Sequence, residues 1–270
     1  MFVRVLVFAL GFVFLQIGRE SLLRIGQLEL TGTAWNFVGG IFIAILFAWM
    51  LPKTRLKRFD LIVLVWLVLF VVQQFSNLVE AYFFTSLYSA VPVFVSATFL
   101  SLLTTLVEGI MAAALFLPKI HDRSLVSELS SHFKEKSSAS WAWRIVVSSV
   151  AYFPIYFIFG ALIGPFILPY YMNPSFGLKI PSFAVIIPLE FLRGFLYVLV
   201  LLPIIAAVQS SRRTLVAVLA SVLYVPGALV PLIVQTSLPS GIVPFHLAEI
   251  LGDSIAYGAV IAYLLGRKLR

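Results

Sequence analysis

Eight stretches of this chain are long and apolar enough to cross a lipid bilayer, and only short polar segments separate them: residues 2–18, 32–52, 60–82, 91–118, 145–169, 182–208, 214–236 and 245–265. About 20 apolar residues in a helix cover the hydrocarbon core, and a helix satisfies its own backbone hydrogen bonds where no water is present. Of the 270 residues, 61% are hydrophobic and 11% charged. A soluble domain of that composition would leave more apolar surface in water than folding can hide. The chain therefore reads as an all-α integral membrane protein with eight transmembrane helices. Soluble globular, disordered and collagen-like chains are excluded.

The 19 Lys and Arg outnumber the 11 Asp and Glu, for a formal net charge of +8. In a soluble protein that surplus would point to nucleic acid. Here its distribution carries the information, and no nucleic-acid partner is expected. Fifteen of the 19 cations fall in alternate loops: 1–4, 53–60, 119–144, 210–214 and 266–270, the last with Arg267, Lys268 and Arg270. The intervening loops hold Arg19, Arg24 and Lys179, and Arg193 lies within a stretch. Cationic loops stay on the cytoplasmic side, so both termini are expected there, in a plasma membrane, with the lipid bilayer as partner. The N-terminus has signal-like character without a small-residue cleavage site at Gln16-Ile17-Gly18-Arg19-Glu20, which predicts an uncleaved anchor. With no cysteine, disulfides, thiolate metal sites and thiol nucleophiles are excluded.

The long cationic loop divides the chain into a first four-helix half (1–118), a connector (119–144) and a second half (145–270). In the connector, Leu125, Val126, Leu129 and Phe133 have helical spacing, which suits either an interfacial helix or a solvated connector anchored by Trp141 and Trp143. Both halves start and end on the same side, so any duplication between them is parallel. Three short correspondences are compatible with one, and also with chance alignment of apolar helices: Arg4-Val5-Leu6-Val7 with Arg144-Ile145-Val146-Val147, Asn36–Gly40 with Glu190–Gly194, and Glu108-Gly109-Ile110 with Asp253-Ser254-Ile255. Eleven of the 14 prolines follow the connector. Proline frees a carbonyl and kinks a helix, so the second half is predicted to be the irregular one.

Ionisable groups inside a span cost free energy and need a partner, water or a role. Glu190 and Arg193 lie three apart in the sixth stretch, with Tyr197 continuing their face. His246, Glu249, Asp253 and Tyr257 share a face of the eighth, and Gln73, Asn77 and Glu80 one of the third. Ser101, Thr104, Thr105 and Glu108 line one side of the fourth, with Glu108 toward the cytoplasmic end and apart from the others. At about 1.5 Å per residue, Glu190, Arg193 and Asp253 reach one level in the outer half of the membrane. Glu190, Arg193, Glu249, Asp253, His246 and Glu80 are thus the candidate substrate- or ion-binding residues. Four carboxylates against one guanidinium require protons, a cation or water in a low dielectric. Glu80 and His246, near the ends of their stretches, are the two expected to sit in the wet interface rather than in a site.

No zinc-protease, phosphate-loop, nucleophile-elbow or dinucleotide motif is present, so no metal, cofactor or catalytic residue is assigned. Glu190-Phe191-Leu192-Arg193-Gly194-Phe195-Leu196 resembles the first motif of the CPBP (CAAX-type) intramembrane proteases, which implies about eight spans and peptide hydrolysis within the membrane. Pro188 and Leu189 stand where that motif has paired glutamates. The later Phe-x-x-x-His of the family falls near Tyr224 and Ala228, with no histidine, so its catalytic residues do not carry over. Three functions remain open: a carrier for a small solute, cation or proton; a non-catalytic subunit that binds a membrane protein partner; and an intramembrane hydrolase or lipid-modifying enzyme.

Overall fold

A computed structural model describes residues 1–23, 30–86, 90–235 and 238–267. Arg24, Lys268 and Arg270 of the charge pattern, the 87–89 part of the turn between the third and fourth stretches, and residue 236 lie outside them. Among the described residues the chain is helical, with no strand and two isolated bridges, Leu56 with Arg123 and Thr85 with Leu178. The helices are α1 (Phe2–Leu23), α2 (Leu30–Met50), α3 (Arg58–Phe84), α4 (Val91–Leu115), the short α5 (Leu125–Phe133), α6 (Ser138–Tyr171), α7 (Phe183–Ala207), α8 (Arg212–Val234) and α9 (Val243–Leu265). All but α5 are long and apolar enough to cross a membrane. Phe8, Phe12, Phe47, Leu64, Leu201 and Tyr257 are buried between them. The outward faces carry Phe14, Phe99, Ile158 and Leu162, a surface suited to lipid.

Two helices run further than their apolar stretches. α6 begins at Ser138, capped by Ser137, whose hydroxyl accepts from the Ser140 N–H. Trp141, Trp143 and Arg144, expected in the connector, are therefore inside the helix. Arg144 is tolerated because its guanidinium reaches back to the Leu264 carbonyl at 2.7 Å and lies over the Trp143 ring. Likewise α1 continues to Leu23, so Arg19 belongs to a span and not to a loop.

The irregularity is not confined to the proline-rich half. α6 and α7 absorb their internal prolines within continuous helix. The widened π winding occurs at Val225–Leu229 of α8, beside Pro226, but also at Val68–Phe75 of α3, which holds no proline. In α3 the extra residue per turn lets the consecutive Gln73 and Gln74 both be buried, and such segments gather where helices carry function. The two π segments pack against each other across the middle of the molecule.

Helix α5 docks against α7. Asp60 accepts from the Leu125 N–H at 2.9 Å and Ser124 caps the first turn. Leu125, Glu128 and His132 are buried against the protein, whereas Val126 and Phe133 face outward. The expected apolar stripe is therefore split between protein and surroundings. Within each half the same neighbours meet: α1 packs on α2 and α4, and α3 on α4; α6 packs on α7 and α9, and α8 on α9.

Candidate functional site

At the end of the bundle away from α5, helices α3, α6, α7, α8 and α9 enclose a cavity of about 350 Å³. Its position follows from local sequence. Gly194 on α7 lets α6 approach so closely that a Cβ there would meet the Ser149 carbonyl oxygen at 2.1 Å. Tyr257 on α9 then reaches both neighbours, its hydroxyl sharing its proton between the carbonyls of Ser148 (3.0 Å) and Gly194 (3.1 Å). Small residues on the cavity side, Gly160, Gly164 and Gly227, leave the space that larger side chains would fill.

Arg193 is the centre of the charged network. One guanidinium nitrogen donates to both carboxylate oxygens of Glu190 at 3.1 Å, and the other lies 3.1 Å from Glu80. That second nitrogen also donates to the Tyr197 hydroxyl at 3.3 Å. The rings of Tyr152, Tyr156 and Tyr197 surround the guanidinium at 5.5–5.9 Å, a favourable arrangement for a desolvated cation. On α9, His246 Nδ1 lies 2.8 Å from Glu249 Oε2. Asp253, one helical turn deeper, is buried and has no cation within ion-pairing distance among the described residues.

The structure thus brings all six sequence candidates to one place. Glu80, Arg193, His246, Glu249 and Asp253 line the cavity, and Glu190 stands directly behind Arg193. Glu80 and His246, expected in the wet interface, line the cavity and stay partly exposed, at 32% and 17% of their side chains. Glu80 pairs with Arg193 and His246 with Glu249. Sequence reasoning missed Tyr152, Tyr156 and Tyr171 on α6, which has no ionisable group at that level to mark a face. The four-residue spacing of Tyr152 and Tyr156 was the available signal.

A second buried polar cluster joins α1, α3 and α4. Gln16 donates to Glu108 at 2.9 Å, and Arg19 donates to Gln74 and to Ser101. The other Glu108 oxygen and the Arg19 Nε are buried without a partner among the described residues. Asn77 links this region to the cavity, donating to the carbonyls of Gln73 and Gly227. Among the described residues no three His, Cys, Asp or Glu converge closely enough to hold a metal ion.

The chain matches no known protein family, no curated protein and no solved structure.

Proposed function

We propose that this protein is a plasma-membrane carrier for a small cationic solute, coupled to protons, with its cavity facing the outer side and both termini in the cytoplasm. The observation that carries the reading is the charge of the cavity: Glu80, Glu190, Glu249 and Asp253 surround one arginine, and Asp253 has no cationic partner among the described residues. A buried carboxylate in that position needs a proton or a visiting cation. The cavity volume is that of small-molecule sites, and its tyrosine walls offer ring faces to an ammonium group.

An old parallel duplication belongs to the same reading. Its support is the repeated neighbour pattern of the two halves and the paired π segments of α3 and α8, which are third in their respective sets. Two halves meeting at such segments offer a seam about which one can rock against the other.

The test uses proteoliposomes with an internal pH dye and tetramethylammonium or a primary amine outside. Cation-driven proton efflux that disappears in Asp253→Asn supports the carrier, and equal flux in that variant and the parent removes Asp253 from it. A second reading, intramembrane hydrolysis, is favoured by the His246–Glu249 contact, in which the carboxylate orients an imidazole whose Nε2 could take a proton from water. Turnover of peptide or lipid ester substrates by detergent-solubilised protein, lost in His246→Gln, would support it over transport.

A further inference from the structure

At the opposite end of the bundle, the ends of α5, α7 and α9 and the start of α8 surround a larger cavity of about 970 Å³. Its polar side is formed by Lys134, Arg212, Arg267, Ser131 and Gln209, with Glu135 as the single acid. Arg267 is already engaged, 3.4 Å from Glu135 and 3.0 Å from Glu128. Lys134 and Arg212 have no carboxylate within ion-pairing distance among the described residues. Three cations against the one acid Glu135 leave this concave space net cationic among the described residues, which attracts an anion.

The backbone adds to this. Helix α8 starts at Arg212, in the cavity lining, and its cap, Ser211, accepts from the Thr214 N–H and shares a hydrogen bond with the Thr214 hydroxyl. The first N–H groups of the helix remain directed outward, with the positive end of the helix dipole. The remaining wall is apolar: Ile205, Val208 and Leu215. Cationic mouth and apolar wall together suit an amphiphile.

Its depth points the same way. Around this end, Lys53 lies over Trp49, Lys136 over Trp141, Arg144 over Trp143 and Arg212 over Tyr263, at 4.5–5.7 Å. Amphipathic rings and cations collect at the headgroup level of a bilayer, and basic pockets between helices at that level receive anionic headgroups.

We propose that this cavity is a binding site for a phosphate-bearing anion, held by Lys134, Arg212 and the N-terminus of α8, with the apolar wall accommodating the acyl chain of an anionic phospholipid. The site is independent of the transport reading, since it shares no residue with the other cavity.

The experiment follows thermal unfolding and native mass spectra of the full chain in detergent micelles. Phosphatidylglycerol, phosphatidylcholine or inorganic phosphate is added as probe. Phosphatidylglycerol is expected to raise the unfolding temperature and remain as a bound adduct where phosphatidylcholine does not. Lys134→Gln with Arg212→Gln should weaken that binding about tenfold or more, the scale of a lost charge-assisted contact. Arg213→Gln, next in sequence but outside the cavity lining, should leave it intact. Lys134→Gln alone, at an exposed position, serves where the double variant does not fold. Protection by inorganic phosphate equal to that by the lipid would assign the site to a free phosphate. No preference for either anion, or full binding in the Lys134 and Arg212 variants, overturns the proposal.

Discussion

Gly194 and Ser149 face each other across the α6–α7 crossing, and the same contact recurs in the first half between Gly40 and Ala9. A Cβ on Gly194 would meet the Ser149 carbonyl oxygen at 2.1 Å and the Tyr152 Cβ at 2.8 Å; one on Gly40 would meet the Ala9 Cα at 2.9 Å and the Phe12 Cβ at 3.1 Å. The correspondences of Arg4 with Arg144 and Gly40 with Gly194, drawn from sequence alone, place Ala9 opposite Ser149 and Phe12 opposite Tyr152. Both crossings are thus closed by a glycine against the neighbouring helix.

Alanine at either glycine therefore forces two backbones apart. Gly194→Ala should destabilise the protein by about 1–3 kcal/mol through overpacking, and Gly40→Ala should act in the same direction. Gly18→Ala is the control, because nothing lies within 4 Å of its added carbon; there the better helix propensity of alanine leaves stability unchanged or slightly raised. Thermal unfolding in detergent measures all three. An unaffected Gly194→Ala would show that the crossing is looser than its geometry.

Arg193 neutralises Glu80 and Glu190 where water is scarce, and its removal leaves both acids facing each other. Arg193→Leu should cost about 3–5 kcal/mol, the scale for breaking a buried pair. Adding Glu190→Gln and Glu80→Gln should restore a large part of that loss. Failure of the triple variant to recover would show that the guanidinium stabilises the fold through the rings of Tyr152, Tyr156 and Tyr197 more than through the acids.

The spans were legible because some 20 apolar residues in a row have few alternatives to a transmembrane helix. Their ends were less so: Ser137 caps a helix before its apolar part begins, and Arg144 stays inside by reaching a carbonyl of α9. The faces of α7 and α9 could be read because ionisable residues repeat at helical spacing among apolar ones. Tyr152 and Tyr156 could not, since tyrosine in a span is equally at home in a core or at an interface. The π winding of α3 left no sequence mark, as no proline or glycine lies between Val68 and Phe75. Arg19 looked like a loop cation until Gln74 and Ser101, distant in sequence, gave it partners within the bundle.

His132, on α5 outside the spans, is buried with the Glu135 carboxylate at 3.7 Å and its ring against Trp141. Burial pushes its pKa below the ordinary value of 6.5; Lys136 and Arg267 act in the same sense, and Glu135 opposes them. Below pH 6.5 the unfolded chain therefore takes up a proton that the docked helix refuses, so stability falls as pH is lowered through that value. The protection of amides 125–133 relative to their intrinsic, base-catalysed exchange should fall between pH 7 and pH 5.5, and His132→Phe should flatten the dependence. Protection that is indifferent to pH in the parent would mean that the helix accommodates the charged ring.

The two polar clusters should separate in function. Gln16 supplies a hydrogen bond to buried Glu108 and lines no part of the cavity. Gln16→Leu leaves that acid without its donor and should cost about 1–3 kcal/mol, with cation-driven proton flux unchanged in the molecules that remain folded. Asp253→Asn should do the reverse. Among the described residues Asp253 forms no ion pair that the amide would break, so unfolding temperature should hold while flux is lost, because an amide can neither carry a proton nor balance a cation. Flux per folded molecule and unfolding temperature, measured on both variants in one lipid, give the comparison. Should Gln16→Leu abolish flux at full stability, the proton path runs through Glu108, and the cluster on α1, α3 and α4 is part of the transport route.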